Sequence, residues 1–106
     1  MKSNNLVYLD RSPFSGSDIE KIQALGEKQH LLYRWFRSER ITQPKRDQYI
    51  LYSGTRGSTP YAAYRIERNK DGIYSLFNQR TNDILCENRA LDGVLDNLPD
   101  DFFYSL

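Results

Sequence analysis

Residues 61–87, YAAYRIERNKDGIYSLFNQRTNDILCE, carry their own punctuation. Asn69-Lys70-Asp71-Gly72 sets Asn at the first position of a type I turn and Asp at the third. Gly comes next, at the left-handed position that closes it, where the lack of a Cβ removes the clash. The pattern predicts a three-residue hairpin loop with a bulge at Gly72. Gln79-Arg80-Thr81-Asn82-Asp83 repeats the chemistry with Asn82 in the glycine role, since Asn tolerates that conformation. The stretch therefore reads as three short strands joined by two tight turns.

Turns set register, and register sorts side chains by face. The first turn places Ile66 opposite Leu76, Arg68 opposite Tyr74 and Tyr64 opposite Asn78. The second places Leu76 opposite Cys86 and Asn78 opposite Ile84. One face then holds Ala62, Tyr64, Ile66, Tyr74, Leu76, Ile84 and Cys86, and the other holds Arg65, Glu67, Ser75, Phe77, Leu85 and Glu87. Two turns read separately agree on which face is apolar, and such agreement between levels marks a consistent fold.

Upstream, Gln48–Ser53 is β-branched and aromatic and reads as a further strand. Ser53–Pro60 reads as a Gly/Ser/Thr loop. Ser17-Asp18-Ile19-Glu20 fits a capping box and predicts a helix start. Ile22, Leu25, Gln29, Leu32 and Phe36 give that helix one stripe, with Tyr33 and Trp35 beside it. Gly26 marks a point of break or kink, and Pro44 requires the helix to end between Arg37 and Thr42. Asp10–Gly16 reads as a loop, and Leu6–Leu9 as either an edge strand or an extended segment. Downstream, Asn88 caps a short helix with Leu91, Val94, Leu95 and Leu98 on one face, and Pro99 stops it. Phe102, Phe103 and Tyr104 form a tail too apolar to be left in water. The fold class expected is α+β: an antiparallel three- to four-stranded meander covered by a long N-terminal helix and a short C-terminal helix, as one domain over residues 1–106, with residues 1–5 frayed.

The chain has 106 residues, 39% apolar and 13% aromatic, with a formal net charge of +1. This suits one folded domain and does not fit disorder. No apolar run approaches the ~20 residues of a membrane helix, and no apolar segment comes after the N-terminal Lys as a secretory signal would require. A soluble, cytoplasmic protein with no membrane partner is expected. One cysteine excludes an internal disulfide, and one cysteine with one histidine excludes a self-contained zinc site, so neither metal nor cofactor is expected.

Catalytic constellations are scarce. His30 falls mid-helix beside the apolar stripe, with no nucleophile suitably spaced. Cys86 falls on the core face, where a thiol acts as a small hydrophobe. Asp100 and Asp101 come after a helix-stopping Pro, as capping residues do. Ser53–Pro60 has the glycines and hydroxyls of a phosphate loop but lacks the Gly-Lys-Ser/Thr ending, and it leads into a strand. No catalytic residue is assigned, and an enzyme is not expected.

Charge placement says more than net charge. Residues 28–56 hold seven basic residues against Glu39 and Asp47, while the chain from Asn82 onward holds only Arg89 against six acids. Two function classes are compatible with this. The leading one is a protein-binding or regulatory module, with a protein partner or self-association, using an outer apolar patch of Phe77 and Leu85 with Arg65 beside it. The alternative is a nucleic-acid or anion binder that uses Arg34, Arg37, Arg40, Lys45 and Arg46 along a basic helical edge interleaved with aromatics, with Arg56 from the loop after it.

Overall fold

The computed structural model describes residues 9–104. A helix, α1 (Gly16–Leu31), leads into five strands: β1 (Arg34–Gln43), β2 (Arg46–Thr55), β3 (Tyr61–Asn69), β4 (Tyr74–Asn78) and β5 (Ile84–Asn88). A short helix, α2 (Leu91–Leu95), and a 3-10 turn, Asp100–Phe102, follow the strands. The strands form one antiparallel sheet in sequence order. It is an α+β fold built on a meander, with one strand more than the upper bound read from the sequence.

Both turns close as their residues require. Gly72 and Asn82 adopt φ of 80° and 64°. The Gly72 amide donates to the Asn69 carbonyl at 2.8 Å, and the Asn82 amide to the Asn78 carbonyl at 2.7 Å. Tyr64, Ile66 and Arg68 face Asn78, Leu76 and Tyr74, and Leu76 faces Cys86. One pairing differs. The ladder shifts between Leu76 and Phe77, so Ile84 lies opposite Phe77 rather than Asn78. A β-bulge adds one residue, here Leu85, and turns everything beyond it to the other face. Ile84 therefore leaves the core face and is 51% exposed. A second shift, between Leu51 and Tyr52, pairs Tyr52 with Ala62. That makes Ala63 the extra residue, buried beside Tyr64, while Ala62 moves outward.

The N-terminal helix is shorter than expected and starts two residues earlier. Its capping box is Ser15 with Asp18, not Ser17 with Glu20: the Asp18 amide donates to Ser15 Oγ and the Ser15 amide to Asp18 Oδ2, each at 3.0 Å. Tertiary partners select it, because Asp18 also accepts from the Tyr74 hydroxyl at 2.6 Å and lies 3.6 Å from Arg68. The helix stops at Leu31, because Tyr33 takes a left-handed φ of 57° and turns the chain back. Residues 34–43, within which the helix is expected to end, instead pair with 46–55 as a hairpin of two ten-residue strands. Pro44 and Lys45 close that hairpin, with Lys45 at φ 66° in the position a type II turn demands. No break occurs at Gly26. A Cβ there would meet Phe36 Cδ2 at 2.9 Å, so glycine is what lets the ring of β1 seat under α1.

One side of the sheet is covered. Ile22 and Gln29 of α1, Leu91 and Val94 of α2, Leu98, Phe102 and Phe103 are buried with Tyr49, Leu51, Ala63, Tyr64, Ile66, Tyr74 and Leu76. Phe14 joins them through its ring, 5.2 Å from that of Tyr49. Its amide donates to Asp47 Oδ2 at 3.0 Å. The tail docks by its backbone as well as its rings. The Phe102 carbonyl accepts from Gln29 Nε2 at 2.6 Å, Ser53 Oγ at 2.9 Å and Arg34 Nε at 3.1 Å. Asn88 ends β5 rather than capping α2, whose N-cap is Ala90; its Oδ1 accepts from the Ala90 amide at 2.9 Å. Of the segment Leu6–Leu9, only Leu9 is among the described residues, and it is exposed and outside any strand.

Candidate functional site on the uncovered sheet face

Every sheet residue in the buried core belongs to the face under the helices or to the bulge beside it. On the opposite face the direct cross-strand partners line up in rows. Glu39, Ile50, Arg65, Phe77 and Ile84 make one such row, one residue from each strand. Among the described residues no helix covers it.

Arg65 organises the middle of this row. Its guanidinium carbon sits 4.3 Å from the centroid of the Phe77 ring. Its nitrogens donate to Glu67 at 2.7 Å, Gln79 at 2.6 Å and Asn82 at 2.7 Å. Three partners in three directions hold the guanidinium in one plane, and the ring beneath it is held by a cation–π contact. The sequence placed Phe77, Leu85 and Arg65 together, and in the structure Arg65 and Phe77 touch. Leu85, at the bulge, is 43% exposed beside Ile84. Sequence reasoning missed Ile84 and Ile50. The one sign of the bulge was the unbroken apolar pair Ile84-Leu85, where strict alternation would have set a polar residue.

A second row, Arg37, Tyr52 and Ala62, lies beside the first. Arg37 stacks on Tyr52 at 4.2 Å, and the Tyr52 hydroxyl donates to Glu39 Oε1 at 3.1 Å. Arg56 stacks on Trp35 at 4.4 Å, and the indole N–H donates to the Ser58 carbonyl at 2.9 Å. Trp35, Phe36, Arg37, Tyr52 and Pro60 enclose an open cleft of about 480 Å³.

The six cations of the basic reading are divided by this geometry. Because residues 34–43 form a strand, the i, i+3, i+6 spacing of Arg34, Arg37 and Arg40 no longer shares a face. Arg34 points inward, is 5% exposed, and donates to the carbonyls of Phe102 and Asp101. Arg40 is spent on the fully buried Asp47, at 2.6 Å. Arg37 and Arg56 remain exposed on the uncovered face, and Lys45 and Arg46 at the β1–β2 turn.

The groups that could carry chemistry are dispersed. His30 is exposed in the last turn of α1. Cys86 is half-buried, and burial pushes its thiol up in pKa. Asp101 accepts a short hydrogen bond from the Tyr64 hydroxyl. Burial, and then Asp101, push that phenol well above its ordinary range. Gly54 and Thr55, expected in the phosphate-like loop, belong to β2. Among the described residues no group of three or more His, Cys, Asp or Glu side chains could hold a metal ion. No described helix is long and apolar enough to cross a membrane. Comparison of the chain with known protein families, characterised proteins and solved structures finds no match.

Proposed function

We propose that this chain is a non-enzymatic protein-binding or regulatory module that receives its partner across the row Ile50, Arg65, Phe77 and Ile84, with Leu85 at its margin. One observation carries the reading: Arg65 is already clamped onto Phe77 and spends donors on three neighbours. An arginine–aromatic pair with so little freedom left loses little entropy when a partner covers it. Arg and aromatic side chains of this kind are the ones that dominate binding at interfaces. Ile84 and Leu85 add apolar surface that a partner would dry.

The test compares the parent with Phe77→Ser/Ile84→Ser as baits in a native extract, after confirming by thermal melts that the variant folds. A protein captured by the parent, retained in high salt and released by the double substitution is the expected result. The same set of proteins captured by both baits would overturn the reading.

The alternative, nucleic-acid binding, is favoured by the exposed Arg37 and Arg56, stacked on Tyr52 and Trp35 in the arrangement that also stacks bases. If Arg37, Arg46 and Arg56 made three phosphate contacts on duplex DNA, the log-log salt slope would be about −2.7, a loss of roughly forty-fold between 50 and 200 mM salt. Oligonucleotide binding with that slope, weakened by Arg37→Glu and indifferent to Phe77→Ser, would replace the protein-binding reading with this one.

A further inference from the structure

β1 is the edge strand of the sheet, ten residues long, paired with β2 on one side without a bulge or a proline. Among the described residues, no backbone hydrogen bond outside the β1–β2 ladder reaches residues 35–43. The outer edge of β1 thus presents a row of unpaired backbone groups, a template for another strand. Most edges of this kind are blunted by charge, and β1 is charged. Its charges are arranged, however, so that one partner satisfies them.

We infer that the outer edge of β1 pairs antiparallel with β1 of a second copy, about a two-fold axis through Ser38. In that register Arg37 faces Glu39 of the other copy and Glu39 faces its Arg37, while Trp35 faces Ile41 on the same side of the sheet. Keeping each face with its own kind allows only shifts in which the paired positions retain parity. Centring on Arg37 sets Arg37 against Arg37 and Arg34 against Arg40. Centring on Glu39 sets Glu39 against Glu39. The Ser38-centred register is the one of the three that places opposite charges across the seam, and like charges directly opposite disfavour the others.

The two charges are also presented for it. Arg37 and Glu39 are exposed and, among the described residues, make no ion pair within one copy. Tyr52 holds both, its ring under Arg37 at 4.2 Å and its hydroxyl donating to Glu39 at 3.1 Å. The helix layer does not obstruct the seam. α1 meets β1 where Gly26 packs on Phe36, and its other end reaches Tyr74 of β4 through Asp18. The helix thus leaves β1 before Ser38, and Arg40, Thr42 and Gln43 beyond it are exposed. In a two-fold pair the two helix crossings, each at Phe36, fall on opposite sides of the axis. The result is a continuous ten-stranded sheet with both uncovered faces on one side. This seam uses no contact of Phe77 or Ile84, so its failure leaves the partner row untouched.

The test is the mass in solution, by sedimentation, of the parent, Arg37→Glu, Glu39→Arg and the double swap Arg37→Glu/Glu39→Arg, each checked by circular dichroism. The expected result is a dimer for the parent, a dissociation constant raised on the order of tenfold or more by either single change, and recovery in the double swap. A second readout is Ser38→Cys in a Cys86→Ser background. Directly opposed strand residues have Cα atoms roughly 4.5–5.5 Å apart, within disulfide reach. Mild oxidation should link Ser38→Cys across the axis and leave Thr42→Cys, which faces Arg34 of the other copy, unlinked. A monomer at every concentration, a dimer indifferent to both charge reversals, or equal linking at 38 and 42 would each overturn the inference.

Discussion

Phe102 offers a way to separate what a side chain and a backbone carbonyl each give to the same contact. The ring is fully buried, with edge contacts to Phe36 at 6.3 Å, Tyr64 at 5.8 Å and Phe103 at 5.0 Å between centroids. Phe102→Ala leaves the carbonyl, and its three donors, in place. The expected loss is that of a buried Phe→Ala change, about 3–5 kcal/mol. For a domain of roughly this size, that lowers the melting temperature on the order of 12–40 °C. Truncation after Pro99 removes the ring and the acceptor together. Gln29, Arg34 and Ser53 then lose their shared acceptor; because Gln29 Nε2 and an Arg34 nitrogen keep Ser53 Oγ, the added loss is that of one buried group left unsatisfied, about 1–3 kcal/mol. Together with the loss of the ring, that reaches the lower part of the stability of an ordinary domain, about 5–15 kcal/mol. The assay is urea unfolding monitored by circular dichroism, with Tyr104→Ala as the control. Tyr104 is 49% exposed and its truncation should stay within ~0.5 kcal/mol. The order expected is Tyr104→Ala, then Phe102→Ala, then the truncation. A Phe102→Ala variant within ~1 kcal/mol of the parent would refute the docking, and a truncation no worse than Phe102→Ala would refute the role given to the carbonyl.

Asp47 and Tyr33 each give a further expected outcome. Burial acts to raise the Asp47 carboxyl, but hydrogen bonds from Arg40, the Phe14 amide and Thr42 outweigh it and hold the carboxyl below its usual range. A depressed folded pKa contributes stability that is present above the unfolded value near ~3.9 and is lost as pH falls through the folded one. Urea melts should therefore show Asp47→Asn well below the parent at neutral pH, with the gap narrowing in acid; a gap unchanged in acid would refute the assignment. Tyr33 is 80% exposed at φ 57°. Tyr33→Gly relieves a left-handed penalty of roughly 1–2 kcal/mol, against about 0.5–1 kcal/mol of added unfolded-state freedom, so a net gain of up to about 1.5 kcal/mol is expected in the same melts, and a loss would refute the reasoning.

The parts of the fold legible in the sequence are those set locally. Gly72 and Asn82 announce their own conformations, and the pairings Ile66–Leu76 and Leu76–Cys86 come from counting outward from them. The residues after Leu32 read as a continuing helix because Leu32 and Phe36 extend the stripe of Ile22, Leu25 and Gln29 at helical spacing, while Trp35, Phe36 and Ile41 suit a strand surface as readily. What settles residues 34–43 as a strand is ten pairings with β2, a non-local fact. The capping box went to Ser15 for a similar reason: two Ser/acid pairs stand two residues apart, and only the tertiary partners Tyr74 and Arg68 distinguish them. Of the candidate interaction row, Phe77, Leu85 and Arg65 are legible once the register is known. Ile84 is not, since a bulge leaves no residue type of its own behind.

The two bulges also bear on how such a chain can change in length. Leu85 and Ala63 are the unpaired extra residues of their strands, so removing either one would close its ladder into regular pairing, Leu76 with Cys86 beside Phe77 with Ile84 in the first case. A deletion anywhere else inside β3 or β5 would invert the faces of the residues after it. Leu85 is thus a place where a codon can be lost at little structural consequence, whereas at Ala63 the register would survive but a buried side chain and a hydrogen bond would go. In homologous chains compared by sequence alone, a one-residue gap would be expected to settle at Leu85 in preference to Ala63, whose side chain is buried and whose carbonyl accepts from the Gln79 amide at 3.0 Å.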